Sequence, residues 1–101
     1  LFRSVVVIEP GARSVQTYRN VKRLASDLGV KRVRVVANKV RDERDEEFIR
    51  QSIPEEDLLG FIHYNLEIMD ADRNGQSPYD YSPKAIEEIR KIKAVLDRDD
   101  P

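Results

Sequence analysis

The residues of this chain best suited to chemistry come at the end of an apolar run. Residues 34–40 (RVVANKV) predict a buried strand that stops at Asn38 and Lys39. In open parallel α/β sheets, ligands bind outside the carboxyl ends of the strands. A side-chain amide carries a donor and an acceptor side by side, so Asn38 at such an end is suited to read the edge of a nucleotide base. The segment predicts half of a nucleotide site, because no glycine-rich phosphate loop accompanies it.

Polar residues also follow two other apolar runs. The first run is followed by Glu9 and Pro10, and the third is followed by His63, Tyr64 and Asn65. All strands of a parallel sheet point the same way, so these residues are expected to meet Asn38 and Lys39 along one edge. Together they supply a carboxylate, cations, amides, an imidazole and a phenol. The chemistry of the protein is therefore predicted to lie at this edge.

Strand and helix patterns alternate along the first half of the chain. The β-branched run at residues 5–8 is typical of a strand that is buried on both faces and has neighbours on both sides. Ser14 is suited to cap the next helix, and Gly29 is suited to end it. The apolar stripe of this helix is expected to cover one face of the sheet, and it comprises Tyr18, Val21, Leu24, Ala25 and Leu28.

The same alternation continues to the end of the chain. A second strand at residues 33–37 is followed by a short helix that opens at Asp42 and Asp45, and a third strand is predicted at residues 58–62. A helix from Asn65 to Gly75 and a last helix that begins at Ser82-Pro83 complete the pattern. The buried stripe of the last helix is predicted to be Ile86, Ile89, Ile92 and Leu96. The order predicts an α/β fold of three layers, with helices on both faces of a parallel sheet of about three strands.

Composition excludes several classes of function. The chain has 101 residues, which is enough for one domain with a modest core. Its 18 basic and 19 acidic residues are interspersed, which disfavours nucleic acid and anionic lipid as partners. There is no cysteine, and the lone His63 cannot build a zinc site. The absence of a long apolar run predicts no membrane span, and a cytoplasmic protein is expected. Leu1 does not resemble an initiator, so we expect the carboxyl-terminal part of a longer protein.

Four short segments, in their order and spacing, carry a family resemblance. They are VIEP at residues 7–10 with RS at 13–14, VVANKV at 35–40, LGFI at 59–62 with YN at 64–65, and ADRNGQSP at 71–78. Residues 5–80 resemble the second half of P-loop ATPases of the MinD and nitrogenase-iron-protein superfamily. The similarity is greatest to the CooC-type ATPases that mature carbon monoxide dehydrogenase.

The resemblance implies roles for individual residues. Asn38 would pair with the adenine edge, and the loop of His63, Tyr64 and Asn65 would meet the adenine largely through backbone groups. The family usually has a proline where His63 stands. Residues 1–101 would then form one domain, a partial P-loop NTPase fold that lacks the P-loop half.

The resemblance also implies a function for a longer parent protein. That parent would couple ATP hydrolysis to the insertion of a metal, with nickel a candidate, into a client metalloenzyme, and it could act as a homodimer. The phosphate loop and the magnesium ligands would lie upstream of Leu1. This chain alone is therefore expected to bind ATP or ADP weakly and to hydrolyse neither.

Several of the site residues also have simpler interpretations. Asn38 is a common turn former and could cap the turn after its strand. Glu9 could only shape a turn, because the residue before a proline is confined to extended geometry. His63 could serve a hydrogen bond at the end of its strand.

The cations at the edge, and the chain as a whole, have alternatives too. Lys39 and Arg41 could be surface charges paired with Asp42 or Glu43. A receiver-like or flavodoxin-like signalling domain would also be a small parallel α/β unit, although a receiver needs a cluster of carboxylates at this edge. A non-catalytic interaction module is the other alternative, since exposed sheet edges attract strand donors.

Overall fold

The protein is described by a computed structural model that covers residues 3–30, 32–64, 69–70, 73–75 and 83–98. Its strands form one parallel sheet in the order β1-β2-β3, and they are β1 (Arg3–Ile8), β2 (Arg32–Val40) and β3 (Leu58–His63). The helices are α1 (Ala12–Asp27), α2 (Glu43–Ser52) and α3 (Pro83–Arg98). A 3-10 turn, Glu55–Asp57, leads into β3. The predicted three parallel strands are confirmed.

The start of α1 differs from the prediction, and its end agrees with it. The helix begins at Ala12, two residues before Ser14, so Ser14 lies in the first turn and is not the cap. The Oγ of Ser14 accepts a hydrogen bond from the backbone N–H of Glu9 at 3.3 Å, which ties the helix to the end of β1. Gly29 has a φ of +74°, the left-handed conformation that ends a helix at little steric cost.

Helices α1 and α2 cover one face of the sheet. Tyr18 and Ala25 of α1 and Ile49 of α2 belong to the same buried cluster as Val35 and Ala37 of the central strand. The remaining members of this cluster are Ile8, Val33, Val40 and Ile53. The main core therefore lies between these two helices and the middle of the sheet.

Helix α3 covers the opposite face over β3. Val36 pairs with Gly60 across the sheet, and the Cγ1 atom of Ile92 lies 3.0 Å from where a Cβ atom on Gly60 would stand. A Cβ atom at position 60 would therefore require Ile92 to move by a few tenths of an ångström. Helices on both faces confirm the predicted three layers. Among the described residues, no helix is long and apolar enough to cross a membrane.

The predicted apolar stripe of α3 is only partly buried. Ala85 is the residue that α3 buries fully, whereas Ile86 is exposed and Ile89, Ile92 and Leu96 are half-buried. The helix packs on β3 at one side of the sheet, so the described residues cover its apolar face only in part. The predicted helix between Asn65 and Gly75 falls mostly on residues outside the described ranges.

The prediction that β1 is buried on both faces is wrong. Within the described residues β1 pairs with β2 alone, and the side chains of Val5 and Val7 are 44% and 64% exposed. Helix α3 lies over β3, which leaves this face of β1 open. Leu24 and Leu28 of α1 are also exposed, so the predicted stripe of α1 covers the sheet only in part. An apolar run indicates which side chains a strand can bury, but the neighbouring elements determine how many of them are buried.

Candidate functional site

A cleft of about 290 Å³ opens at the carboxyl edge of the sheet. It is lined by Glu9 and Pro10 after β1, by Lys39 and Arg41 at the end of β2, and by Tyr64 after β3. Four of the seven predicted site residues therefore meet in one place. The fifth lining residue, Arg41, was predicted only as a surface charge.

The backbone of Lys39 shapes this cleft. Its φ of +56° is the only positive value among the non-glycine residues of the described chain. It lies inside β2, which continues to Val40, so the predicted end of the strand at Asn38 and Lys39 is wrong. The pairing of β2 with β3 is irregular between Ala37 and Val40, as expected of a strand that changes direction locally. A lysine in this conformation is uncommon and costs conformational energy.

The side chain of Lys39 connects the other members of the cleft. Its Nζ atom lies 3.4 Å from Glu9 Oε1 and 5.8 Å from the ring centroid of Tyr64. The side chains of Lys39 and Glu9 are each about half exposed, so this ion pair is weak and open to competition from a ligand. Tyr64 is held by its backbone N–H, which donates to the carbonyl oxygen of Val40 at 2.7 Å. The cleft thus offers an aromatic ring, a cation and a carboxylate.

Asn38 lies beside this group but outside the lining. It is half-buried near the carboxyl end of β2, one residue before Lys39. Among the described residues, no group forms a hydrogen bond with its side-chain amide. The turn-capping interpretation is therefore not supported, since such a cap needs a bond to nearby backbone.

His63 lies at the end of β3 and also stays out of the lining. Its Nδ1 atom is 2.5 Å from Glu88 Oε2, and its backbone N–H donates to Glu88 Oε1 at 3.0 Å. The simpler interpretation, a hydrogen bond at the end of the strand, is confirmed. The remaining predicted site residue, Asn65, lies outside the described residues.

Arg41 is fixed by the first turn of α2. Its Nε atom and its backbone N–H donate to Asp45 Oδ2 at 3.0 and 2.9 Å, which lowers the pKa of Asp45 below its ordinary value. Asp42 caps the helix by accepting the backbone N–H of Asp45 at 3.0 Å. The predicted pairing with Asp42 or Glu43 is therefore wrong, because the ion pair of Arg41 is with Asp45 and that of Lys39 is with Glu9. The spacing of four residues from Arg41 to Asp45 was the available signal.

A second polar cluster lies at the opposite, amino edge of the sheet, and sequence reasoning did not predict it. The hydroxyl of Tyr18 and the Nζ atom of Lys22 both donate to Asp57 Oδ2, the lysine at 2.6 Å. The pKa of Tyr18 is raised by its burial and by Asp57, and the pKa of Lys22 is raised by its bond to Asp57. Asp57 ends the 3-10 turn before β3, and neither of its partners is near it in sequence.

Two cavities adjoin this amino-edge cluster. Their volumes are about 270 and 470 Å³, and both are lined by Val33 and Asp57. Ligands of parallel sheets bind at the other edge, and Asp57 already has two donors. The carboxyl-edge cleft, with its open ion pair, is therefore the better candidate site.

No family model matches this chain. It is 41% identical over 92 residues to the carbon monoxide dehydrogenase accessory protein CooC of Rhodospirillum rubrum, which covers 91% of this chain and 35% of that protein. It is also 41% identical over 91 residues to an uncharacterized ATP-binding protein of Methanocaldococcus jannaschii, which covers 87% of this chain and 35% of that protein.

These two matches agree with the resemblance to CooC-type ATPases that the sequence motifs indicate. Both span nearly the whole chain. The chain spans about a third of the length of each relative. The resemblance is thus confirmed, and the chain is a CooC-like sequence.

Proposed function

We propose that this chain binds an adenine nucleotide at the carboxyl-edge cleft, as the base-recognising part of a CooC-like ATPase. The observation that carries the proposal is the half-buried amide of Asn38, which has no partner among the described residues and stands next to Lys39 in the strand. An adenine edge is a suitable partner, because it presents one donor and one acceptor to an amide. The match to an ATP-binding protein supports this choice of ligand.

The dimensions of the cleft fit part of a nucleotide. Its volume of about 290 Å³ is at the lower limit of ligand pockets, which range from about 300 to 1,000 Å³. The ring of Tyr64 offers a surface for stacking, and Lys39 and Glu9 offer polar contacts at its side. We infer that the base and the ribose occupy this cleft and that the phosphates extend out of it.

We assign no magnesium ligands to this chain. No group of three or more histidine or carboxylate side chains in the described part of the chain could hold a metal ion. The sequence also has no glycine-rich loop to hold the phosphates. No hydrolytic step is therefore assigned to this chain.

A titration followed by NMR tests the binding proposal. Addition of ADP or ATP to the labelled chain should shift the amide resonances of Glu9, Asn38, Lys39, Arg41 and Tyr64, at millimolar ligand concentrations. Shifts that cluster at the amino edge, near Asp57, would contradict the site. An equal response to GTP would contradict the recognition of adenine, because guanine presents a different pattern of donors and acceptors.

Matched variants separate the base contact from the charge contact. Asn38→Ala should weaken ADP binding about 5-fold to 10-fold, as expected for the loss of hydrogen bonds to a base. Lys39→Ala should weaken it about 3-fold. Lys93→Ala is the control, because Lys93 forms a comparable exposed ion pair with Asp97 far along α3. Unchanged affinity in Asn38→Ala would make Asn38 a structural residue only.

We further propose that residues 1–101 are the carboxyl-terminal half of an ATPase domain, with the other half packed against the face of β1 on which Val5 and Val7 are exposed. The exposed valines of β1 and the length of the relatives support this arrangement. Val7→Asp should change the free energy of unfolding of this chain by less than about 0.5 kcal/mol. In a polypeptide extended to the length of the relatives, the same change should cost about 2 kcal/mol. Equal effects in both would contradict the proposal.

The name of the Rhodospirillum relative suggests the role of such a longer protein. We propose that it acts as a dimer in the cytoplasm and uses ATP to assist the insertion of nickel into a client carbon monoxide dehydrogenase. Deletion of its gene should leave the client inactive and low in nickel, and added nickel salts should restore activity. A client with normal metal content in the deletion strain would contradict this role.

A further inference from the structure

The imidazole of His63 lies between carboxylates from both faces of the sheet. Its Nδ1 atom is 2.5 Å from Oε2 of Glu88, which belongs to α3. Its Nε2 atom is 3.7 Å from Oε2 of Glu46, which belongs to α2. The end of β3 is thus contacted by the helices of both outer layers, immediately before the loop that enters the cleft.

Glu88 makes the stronger of these contacts. One carboxylate oxygen accepts the backbone N–H of His63 at 3.0 Å, and the other contacts the ring of the same residue. Two contacts from one carboxylate fix both the position and the orientation of a residue, which a single bond does not. The Glu88 side chain is only 15% exposed, so water competes little for its oxygens.

The position of Glu88 on its helix leaves little freedom. Ala85 and Ile92 lie three residues before it and four residues after it, so all three share one face of α3. Ala85 is buried, and Ile92 packs against Gly60 of β3. The apolar contacts of α3 therefore hold the Glu88 carboxylate at the end of β3.

The residue that follows His63 belongs to the cleft. The backbone N–H of Tyr64 donates to the carbonyl of Val40 at 2.7 Å, and its ring lies 5.8 Å from Lys39 Nζ. Residues 63 and 64 are therefore held by α3 on one side and by β2 on the other. A displacement of His63 moves the cleft wall directly, since a single peptide bond separates it from Tyr64.

We propose that Glu88 is a positioning residue for the nucleotide cleft, which acts through His63 to hold Tyr64 beside Lys39. This inference rests on the proposed nucleotide binding and adds a coupling to it. Coupling between two sites is reciprocal, so a bound nucleotide would in turn stabilise the packing of α3 on β3. The packing of helix α3 would thereby depend on whether the cleft is occupied.

The first test needs no ligand. In Glu88→Ala, the amide resonances of Tyr64 and Lys39 should shift relative to those of the unsubstituted chain. Glu88→Gln keeps an oxygen acceptor for the His63 N–H and an amide group beside the ring, so it should restore most of the parent positions. Glu87→Ala is the matched control on the exposed side of the same helix and should leave both resonances unchanged. Unchanged Tyr64 and Lys39 resonances in Glu88→Ala would overturn the positioning role, whatever the protein binds.

The second test measures ADP affinity by calorimetry. Glu88→Ala should weaken binding about 10-fold and Glu88→Gln less than 2-fold, whereas His63→Ala, which keeps the backbone bond to Glu88, should lose about 3-fold. In a Tyr64→Ala background, Glu88→Ala should cause no further loss. The same loss in both backgrounds would show general destabilisation and would overturn the proposal. If the unsubstituted chain binds no ADP, the proposed function itself fails. If the unsubstituted chain binds ADP but Glu88→Ala binds it equally tightly, only the coupling is overturned.

Discussion

The two edges of the sheet carry similar residue types in different states. At the amino edge, Asp57 accepts bonds from Tyr18 and Lys22, and the ring of Tyr18 is almost completely buried. At the carboxyl edge, Lys39 and Glu9 form a long, half-exposed ion pair next to an asparagine that has no partner in the described part of the chain. A tyrosine and a lysine occur in both places.

This difference between the edges indicates that the amino edge contributes to stability and that the carboxyl edge is suited to binding. The amino edge has satisfied its polar groups internally, so those groups hold α1 to the start of β3 and have little left to offer a ligand. The carboxyl edge keeps a strained lysine backbone, a weak ion pair and an amide with no partner among the described residues, all of which a ligand could use. Variants of the two edges should therefore differ in what they change.

The largest effect is expected from Asp57→Ala. It leaves the buried hydroxyl of Tyr18 without its acceptor and removes the partner of Lys22, so unfolding should become easier by about 2 to 3 kcal/mol. Urea denaturation measures this change. Asp97→Ala, which breaks an exposed pair with Lys93, is the matched control and should leave the midpoint almost unchanged. A small effect of Asp57→Ala would remove the distinction between the two edges.

The amino edge should also impose an alkaline limit on stability. The pKa of Tyr18 lies above its ordinary 10.0 and that of Lys22 above its ordinary 10.5, so both bind their protons more tightly in the folded state. Their contribution is complete below pH 10.0 and is lost as the pH rises through the folded pKa values. The difference in free energy of unfolding between the unsubstituted chain and Tyr18→Phe should shrink above that pH. A difference that is constant from pH 8 to 11 would contradict the assignment.

Lys39→Gly should affect the carboxyl edge in two opposite directions. Glycine adopts a φ of +56° without steric cost, so stability should rise by about 0.5 kcal/mol. The same change removes the cation from the cleft, so ADP affinity should fall about 3-fold. Lys39→Ala separates the two effects, since it loses the charge but keeps the strain. Denaturation and calorimetry on the same samples would show whether strain and binding reside in this one residue.

The smallest effect on stability is expected from Glu9→Ala. The Glu9–Lys39 pair is long and half exposed, so its loss should change the free energy of unfolding by less than about 0.5 kcal/mol. The affinity for ADP should still change, because Lys39 loses its only carboxylate neighbour within the described cleft. A loss of stability comparable to that of Asp57→Ala would mean that the two edges do not differ in kind.

Much of the fold and part of the site could be predicted from the sequence. The three parallel strands, the three layers and the helix end at Gly29 follow from local patterns, because apolar period and turn chemistry act over a few residues. The same patterns brought Glu9, Lys39 and Tyr64 to one edge, because parallel strands have one direction. They missed the start of α1 at Ala12 and the continuation of β2 through Lys39, where contacts between elements outweigh local preference.

By itself, the sequence determined which residues could meet at the carboxyl edge. Local hydrophobic pattern fixes the elements, and chain direction in a parallel sheet fixes the edge at which each loop emerges. The tertiary structure alone decided which groups are satisfied there and which are open. The bonds of Asp57 to Tyr18 and Lys22, and of Glu88 to His63, join residues that are 25 to 39 positions apart. No local pattern specifies such pairs, because they depend on how α1 and α3 pack against the sheet.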